Sequence, residues 1–91
     1  MPVISITTPT HRRHKLLERQ HRIVLAQSEQ DFEWLILDDG PEPSAYFQGL
    51  ADPRIRYHHH AGGRLSIGAK RNWLADRAAA PVIAHFDDDD Y

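Results

Sequence analysis

Short β-branched runs alternate with helical periodicity along this chain, and that alternation most restricts what it can fold into. Residues 3–7 (Val3-Ile4-Ser5-Ile6-Thr7), 32–37, 54–58 and 82–86 have the composition of strands. Between the first two, Leu16, Leu17, Ile23, Val24 and Ala26 recur at helical spacing over 14–27, opposite a polar face of Glu18, Arg19 and Arg22. Between the last two, Ile67, Arg71, Leu74, Ala75 and Ala78 mark an alanine-rich helix over 65–79, which Pro81 closes. A shorter helix over 43–50, with Pro43 in its first turn and Ser44 close behind, falls between the second and third strands. Strands separated by helices pair in parallel through right-handed crossovers, so the pattern predicts an α/β domain. Pro9 lacks the N–H that a central ladder uses, so it ends the first strand and Thr10 begins the turn toward the helix. The charges of Arg54 and Arg56 put the third strand near an edge.

In open parallel sheets the ligand crevice lies outside the carboxyl ends of the strands. The conspicuous polar motifs of this chain fall at those ends. The first strand stops at Thr8-Pro9-Thr10, the second at Asp38-Asp39-Gly40-Pro41, and the fourth runs into His85-Phe86-Asp87-Asp88-Asp89-Asp90-Tyr91. Taken singly, the second motif reads equally as an Asx-type turn and the last as a solvated acidic tail. Their shared placement favours a site. Four adjacent carboxylates repel one another, and in an extended segment Asp87 and Asp89 share one face while Asp88 and Asp90 share the other. Two carboxylates on one side suit a hard divalent ion such as Mg²⁺ or Mn²⁺. The three histidines His58-His59-His60 do not make a transition-metal site, because consecutive strand side chains cannot all face one ion. The basic cluster His11-Arg12-Arg13-His14-Lys15 reads as a solvated helix start, and Ala61-Gly62-Gly63 as a flexible connector.

Composition bounds the partners. Ninety-one residues suit one small domain. The net charge of −2 indicates no general affinity for nucleic acid or an anionic membrane. Residues 1–30 carry five Lys/Arg against two Glu, and residues 31–91 carry six against eleven acids, so the charge is uneven: +3, then −5. Cysteine is absent, which rules out disulfides and thiolate metal sites and fits a reducing compartment. The short apolar run at the N-terminus is followed, not preceded, by its positive charges, the wrong order for a secretory signal. No apolar stretch nears the roughly 20 residues of a bilayer span. The expectation is a soluble, cytoplasmic chain with no intrinsic membrane segment.

With these residues placed, the chain resembles the N-terminal, nucleotide-binding half of a family 2 glycosyltransferase of the GT-A fold. Five pieces carry the resemblance, in order. They are Val3-Ile4-Ser5-Ile6-Thr7-Thr8-Pro9-Thr10; Leu25-Ala26-Gln27-Ser28 with Asp31-Phe32-Glu33; Leu35-Ile36-Leu37-Asp38-Asp39-Gly40; Ile67-Gly68-Ala69-Lys70-Arg71-Asn72; and Ile83-Ala84-His85-Phe86-Asp87-Asp88-Asp89-Asp90. The similarity covers essentially all of residues 1–91. It implies a partial GT-A, Rossmann-like parallel sheet of four strands in the order 3-2-1-4, with helices on both faces. It also implies a metal-dependent transferase that takes a nucleotide-diphospho-sugar, in most members a UDP-sugar, and passes the sugar to an acceptor (saccharide, lipid or protein) that the residues do not name.

The resemblance assigns roles by position. Pro9 and Thr10 would line the nucleotide pocket through backbone contacts, Asp39 would accept a hydrogen bond from the base, and Asp38 would shape that strand end. Arg71 would lie by the base or diphosphate with Lys70 nearby. Asp87-Asp88-Asp89 falls at the Asp-x-Asp position, with Asp88 approaching the ribose or a metal-bound water and Asp87 and Asp89 as the metal carboxylates. Two departures leave base preference open: His11 and Arg12 follow the Pro-Thr pair where an aromatic and Asn are frequent, and Pro41 replaces a frequent Ser. On this reading 1–91 is a donor-binding subdomain truncated after the Asp-x-Asp motif. The base that deprotonates the acceptor is expected beyond residue 91, and the fourth strand is an exposed edge open to self-association. Two other classes are a non-catalytic nucleotide- or cation-binding module and an interaction fragment. A sugar-nucleotide pyrophosphorylase is disfavoured, because Thr8-Pro9-Thr10-His11 is not the Gly-rich basic loop those enzymes carry.

Overall fold

A computed structural model describes residues 3–11, 14–27, 30–63, 65–80 and 82–85. The elements alternate as read from the sequence: β1 Ile4–Thr10, α1 His14–Ala26, β2 Phe32–Asp38, α2 Ala45–Gln48, β3 Ile55–His59, α3 Ile67–Arg77 and β4 Val82–His85. The four strands form one parallel sheet in the order β3-β2-β1-β4, so β3 and β4 are its edges. Both the α/β class and the strand order agree with expectation.

The register fixes which end carries which residues. Ile4 pairs with Phe32 and Thr10 with Asp38 along β1–β2; Ile4 pairs with Val82 and Thr7 with His85 along β1–β4. Alternation then divides the sheet. On one face Ile6, Phe32, Trp34 and Ile36 pack with Leu17 and Val24 of α1 and Phe47 of α2. On the other, Leu35 and Leu37 pack against Leu74 of α3. Helices therefore cover both faces, and the second face has the smaller apolar cluster, with Ser5, Thr7, Glu33 and Lys70 buried beside it.

Glu33 shows how that polar layer is held. Its carboxylate accepts Ser5 Oγ at 2.5 Å and the Ala79 N–H at 2.5 Å, and Ser5 Oγ in turn accepts the Ala80 N–H at 3.1 Å. Burial works to raise the Glu33 pKa. The Ser5 hydroxyl, the Ala79 N–H and the Arg56 guanidinium, 3.8 Å away, outweigh it and hold the carboxyl below its usual range. The segment leaving α3 is thus clamped to the amino-terminal end of the sheet.

Three local expectations are corrected. β1 does not stop before Pro9; it continues through Pro9, paired with Leu37, to Thr10, paired with Asp38. Thr10 turns its carbonyl toward β2, accepting the Asp39 N–H at 3.3 Å. Alternation then turns the position of Pro9's missing N–H toward β4, two residues past the last described β1–β4 pair at Thr7, so no described ladder bond is lost there. In α1 the buried stripe is Leu17, Gln20, His21 and Val24. Ile23 is 42% exposed and Ala26 is also outside, because the i, i+3, i+4, i+7 spacing that faces Trp34 runs through two polar residues instead. Pro43 lies ahead of α2 rather than within its first turn: Ser44 is the N-cap, accepting the Phe47 N–H at 3.3 Å. Ser66 caps α3 in the same way through the Ala69 N–H at 3.1 Å. Among the described residues no helix is long and apolar enough to cross a membrane.

Candidate functional site

The carboxyl ends of β1 and β2 bring four of the sequence-predicted residues together. Thr10 and Asp38 are register partners, and Asp39 follows where β2 stops. All three are buried. Lys70, on the first turns of α3, reaches across to them: its Nζ lies 3.2 Å from Asp39 Oδ1 and 3.5 Å from the Thr10 carbonyl oxygen. A helix running antiparallel to the strands puts its first turns at their carboxyl ends, which is why residues 31 and 60 positions apart in sequence from Lys70 meet it there. Pro9 is buried one residue back on β1, and Arg71 is half-buried at the next position of α3.

The two aspartates are built differently. Asp38 faces the α1–α2 side. Its Oδ1 accepts the Gly40 N–H at 2.8 Å and its Oδ2 accepts the Tyr57 hydroxyl at 2.5 Å. Tyr57 Oη also accepts the Ser44 N–H at 2.9 Å, so Asp38 organises the chain from β2 into α2 and ties it to β3. Burial, followed by the bond to Asp38, pushes the Tyr57 pKa up, which keeps the phenol protonated as a donor.

Asp39 faces the α3 side, and its side chain has no exposed surface. Its Oδ1 takes both Lys70 Nζ and, at 2.8 Å, His11 Nδ1. Its Oδ2 takes the Leu65 N–H, just ahead of the α3 cap. Burial works to raise its pKa; the Leu65 N–H, His11 and Lys70 overcome that and hold the carboxyl below the usual range. The result is an ionised carboxylate beside a buried ammonium, walled by a strand end and a helix start. Chemically this is an acceptor suited to a ligand N–H, next to a cation suited to a phosphate.

His11, Leu65 and Tyr57 were not among the residues expected to build the site. The one signal for His11 was its place directly after the strand-ending Thr10. The three histidines at the end of β3 diverge: His58 stacks on Trp73 at 4.8 Å and His59 Nε2 lies 2.7 Å from the Gly40 carbonyl. A separate cavity of about 250 Å³ lies on the α3 face, lined by Leu35, Arg56, Tyr57, His58, Trp73 and Arg77. There the Arg77 guanidinium covers the Trp73 ring at 3.7 Å.

Asp87, Asp88 and Asp89, expected to hold the metal and approach the ribose, lie outside the described residues. Among the described residues no group of three His, Asp or Glu side chains is arranged to hold a metal. β4 is described up to His85, opposite Thr7 and at the carboxyl half of the sheet, and the acidic run follows it directly in sequence.

Comparison with known proteins places the chain in a family. Residues 5–91 match the family model described as "Glycosyl transferase family 2". The chain is 36% identical over 95 residues to the putative colanic acid biosynthesis glycosyl transferase WcaA of Escherichia coli (strain K12), covering 98% of this chain and 33% of that protein. It is 29% identical over 94 residues to the GalNAc(5)-diNAcBac-PP-undecaprenol beta-1,3-glucosyltransferase of Campylobacter jejuni subsp. jejuni serotype O:2 (strain ATCC 700819 / NCTC 11168), covering 99% of this chain and 30% of that protein. The chain therefore spans about a third of the length of the curated relatives it matches.

Proposed function

The chain belongs to glycosyl transferase family 2, and from that premise we propose that it is the donor-binding part of a metal-dependent glycosyltransferase whose donor is a nucleotide-diphospho-sugar, most simply a UDP-sugar. The observation that carries this reading is the convergence of Thr10, Asp39 and Lys70 at one end of the sheet, with Lys70 Nζ 3.2 Å from Asp39 Oδ1.

In this proposal Pro9 and Thr10 line the nucleotide pocket, and Asp39 accepts the imide N–H of the base. An analogue lacking that donor would leave a buried acceptor unpaired, which is how the carboxylate discriminates. Asp38, locked to Tyr57 and Gly40, holds the strand end in shape. Lys70 and Arg71 supply positive charge on the side of α3 that a diphosphate would approach. Asp87 and Asp89 are the proposed metal ligands, with Asp88 toward the ribose; carboxylate oxygens are the donor set that Mg²⁺ and Mn²⁺ prefer. Such an ion, when bound, stabilises the negative charge that grows on a departing diphosphate. The acceptor and its activating base belong to the proposal for the whole protein, of which this chain covers the donor side. The cysteine-free composition supports a cytoplasmic setting.

Calorimetry with UDP and Mn²⁺ tests the reading: metal-dependent binding that is lost in Asp39→Ala and loses its metal dependence in Asp89→Ala supports it, and binding unchanged in both variants overturns it. A second reading, self-association through the sheet edge, is favoured by Val82 and Ile83 of β4, which are 53% and 39% exposed. Sedimentation at micromolar concentration, with a dimer that Ile83→Lys dissociates, tests that one.

A further inference from the structure

Asp39 is the carboxylate that the donor reading assigns to the base, yet each of its oxygens already has a partner. With no exposed side-chain surface, it holds His11 Nδ1 and Lys70 Nζ on Oδ1 and the Leu65 N–H on Oδ2. Oδ2 keeps a lone pair, but with no exposed surface the carboxylate admits a base N–H only if a neighbour that covers it moves aside, and these three lie in direct contact with it. They differ in how readily they move. Lys70 has a 6% exposed side chain anchored on a helix, and withdrawing it would strand a buried charge. The Leu65 N–H is main chain, fixed one residue ahead of the Ser66 cap of α3. His11 lies in the connector between β1 and α1 with its side chain 24% exposed, so a side-chain rotation delivers its imidazole to water.

We infer, building on that donor reading, that His11 is a gate on the base subsite: it holds Asp39 while no nucleotide is bound, and the base displaces it. The exchange is balanced, one N–H donor leaving Oδ1 and another arriving. Both are N–H donors to the same carboxylate, so the net cost to the base is that of displacing the imidazole. The charged groups that face His11 among the described residues are Asp39 from the end of β2 and Lys70 from α3.

The test is calorimetric titration of the whole chain and of His11→Ala and His11→Phe with UDP-glucose and with GDP-mannose, at fixed Mn²⁺ and fixed pH. Both probes carry a base N–H donor. Both variants should bind each probe at least about threefold more tightly than wild type. Equal affinity in all three proteins overturns the gate while leaving the donor reading intact. Weaker binding by both variants also overturns it, since His11 would then be holding the donor rather than excluding it. If neither probe binds any of the three, the donor reading fails and the gate with it.

Discussion

Lys70 Nζ sits 3.2 Å from Asp39 Oδ1, and this one ion pair joins the start of α3 to the end of β2 across 31 residues of sequence. Both side chains are almost fully buried, so each is the other's compensation for lost water. Removing one partner of a buried pair costs about 3–5 kcal/mol. Lys70→Met should fall at the low end, about 3 kcal/mol, because His11 and the Leu65 N–H still hold the carboxylate. For a domain of this size about 4–8 °C of melting temperature goes with each kcal/mol. The double variant Lys70→Met/Asp39→Asn should recover part of the loss, since it leaves no unpaired buried charge. Urea denaturation of the four members of the cycle measures the coupling.

Tyr57→Phe removes a hydroxyl that donates to Asp38 Oδ2 at 2.5 Å and accepts the Ser44 N–H at 2.9 Å. The ring still packs on Phe47, 5.8 Å between centroids, so apolar burial is unchanged. The loss is therefore the cost of a buried acceptor and a backbone donor deprived of a partner, about 1–3 kcal/mol. Because the bond joins β2, α2 and β3, the effect should appear as faster amide exchange across residues 44–48 as well as in global stability.

How far the fold and the site could be read from sequence follows from the range of the interactions. The strand and helix order rests on local periodicity, two against 3.6, and that was legible. The extent of β1 was not, because the cost of Pro9 depends on which neighbouring strand its missing N–H would have faced. The phase of α1 was misread because Ile23 competes with His21 for the inward face. Only contact with Trp34 and Phe47, 6.2 Å and 5.8 Å from the His21 ring, decides for His21. At the site, Asp38 and Asp39 declared themselves by closing a strand. Of the partners of Asp39, Lys70 was expected near the site from the resemblance, while Leu65 and His11, 26 and 28 positions away, were not. Asp87, Asp88 and Asp89 fall outside the described residues, so their roles remain proposals from resemblance.

The buried His21 should make stability fall with acid. Burial lowers its pKa, and the opposing field of Asp52 does not reverse that. The folded chain therefore resists a proton that the unfolded chain accepts. Above the ordinary histidine pKa of about 6.5 both states are neutral and the contribution is flat; below it, stability falls until the folded-state pKa is passed. Since the chain has seven histidines, the difference between wild type and His21→Phe isolates the effect. The wild-type urea midpoint should drop more steeply than the variant's between about pH 7 and 5. Parallel pH profiles would assign the acid sensitivity to other groups.

Chelation separates the fold from the proposed donor chemistry. The described cores close through Leu17, Trp34 and Ile36 on one face and Leu35, Leu37 and Leu74 on the other, and Glu33, Asp38 and Asp39 are each held by protein donors. None of these contacts calls for an ion, so EDTA should leave the melting temperature of the nucleotide-free chain unchanged. A ligand that binds only the folded state adds RT ln(1 + [L]/Kd), about 2.7 kcal/mol at a hundredfold excess over Kd. UDP with Mn²⁺ should raise the melting temperature accordingly, and EDTA should remove most of that gain, because the proposed ion is bridged to the donor and none of the described core contacts depends on it. Asp89→Ala should match the effect of EDTA on the nucleotide-bound chain without lowering the melting temperature of the free chain. A variant that loses stability with no nucleotide present would move Asp89 from the proposed metal site into the structural framework.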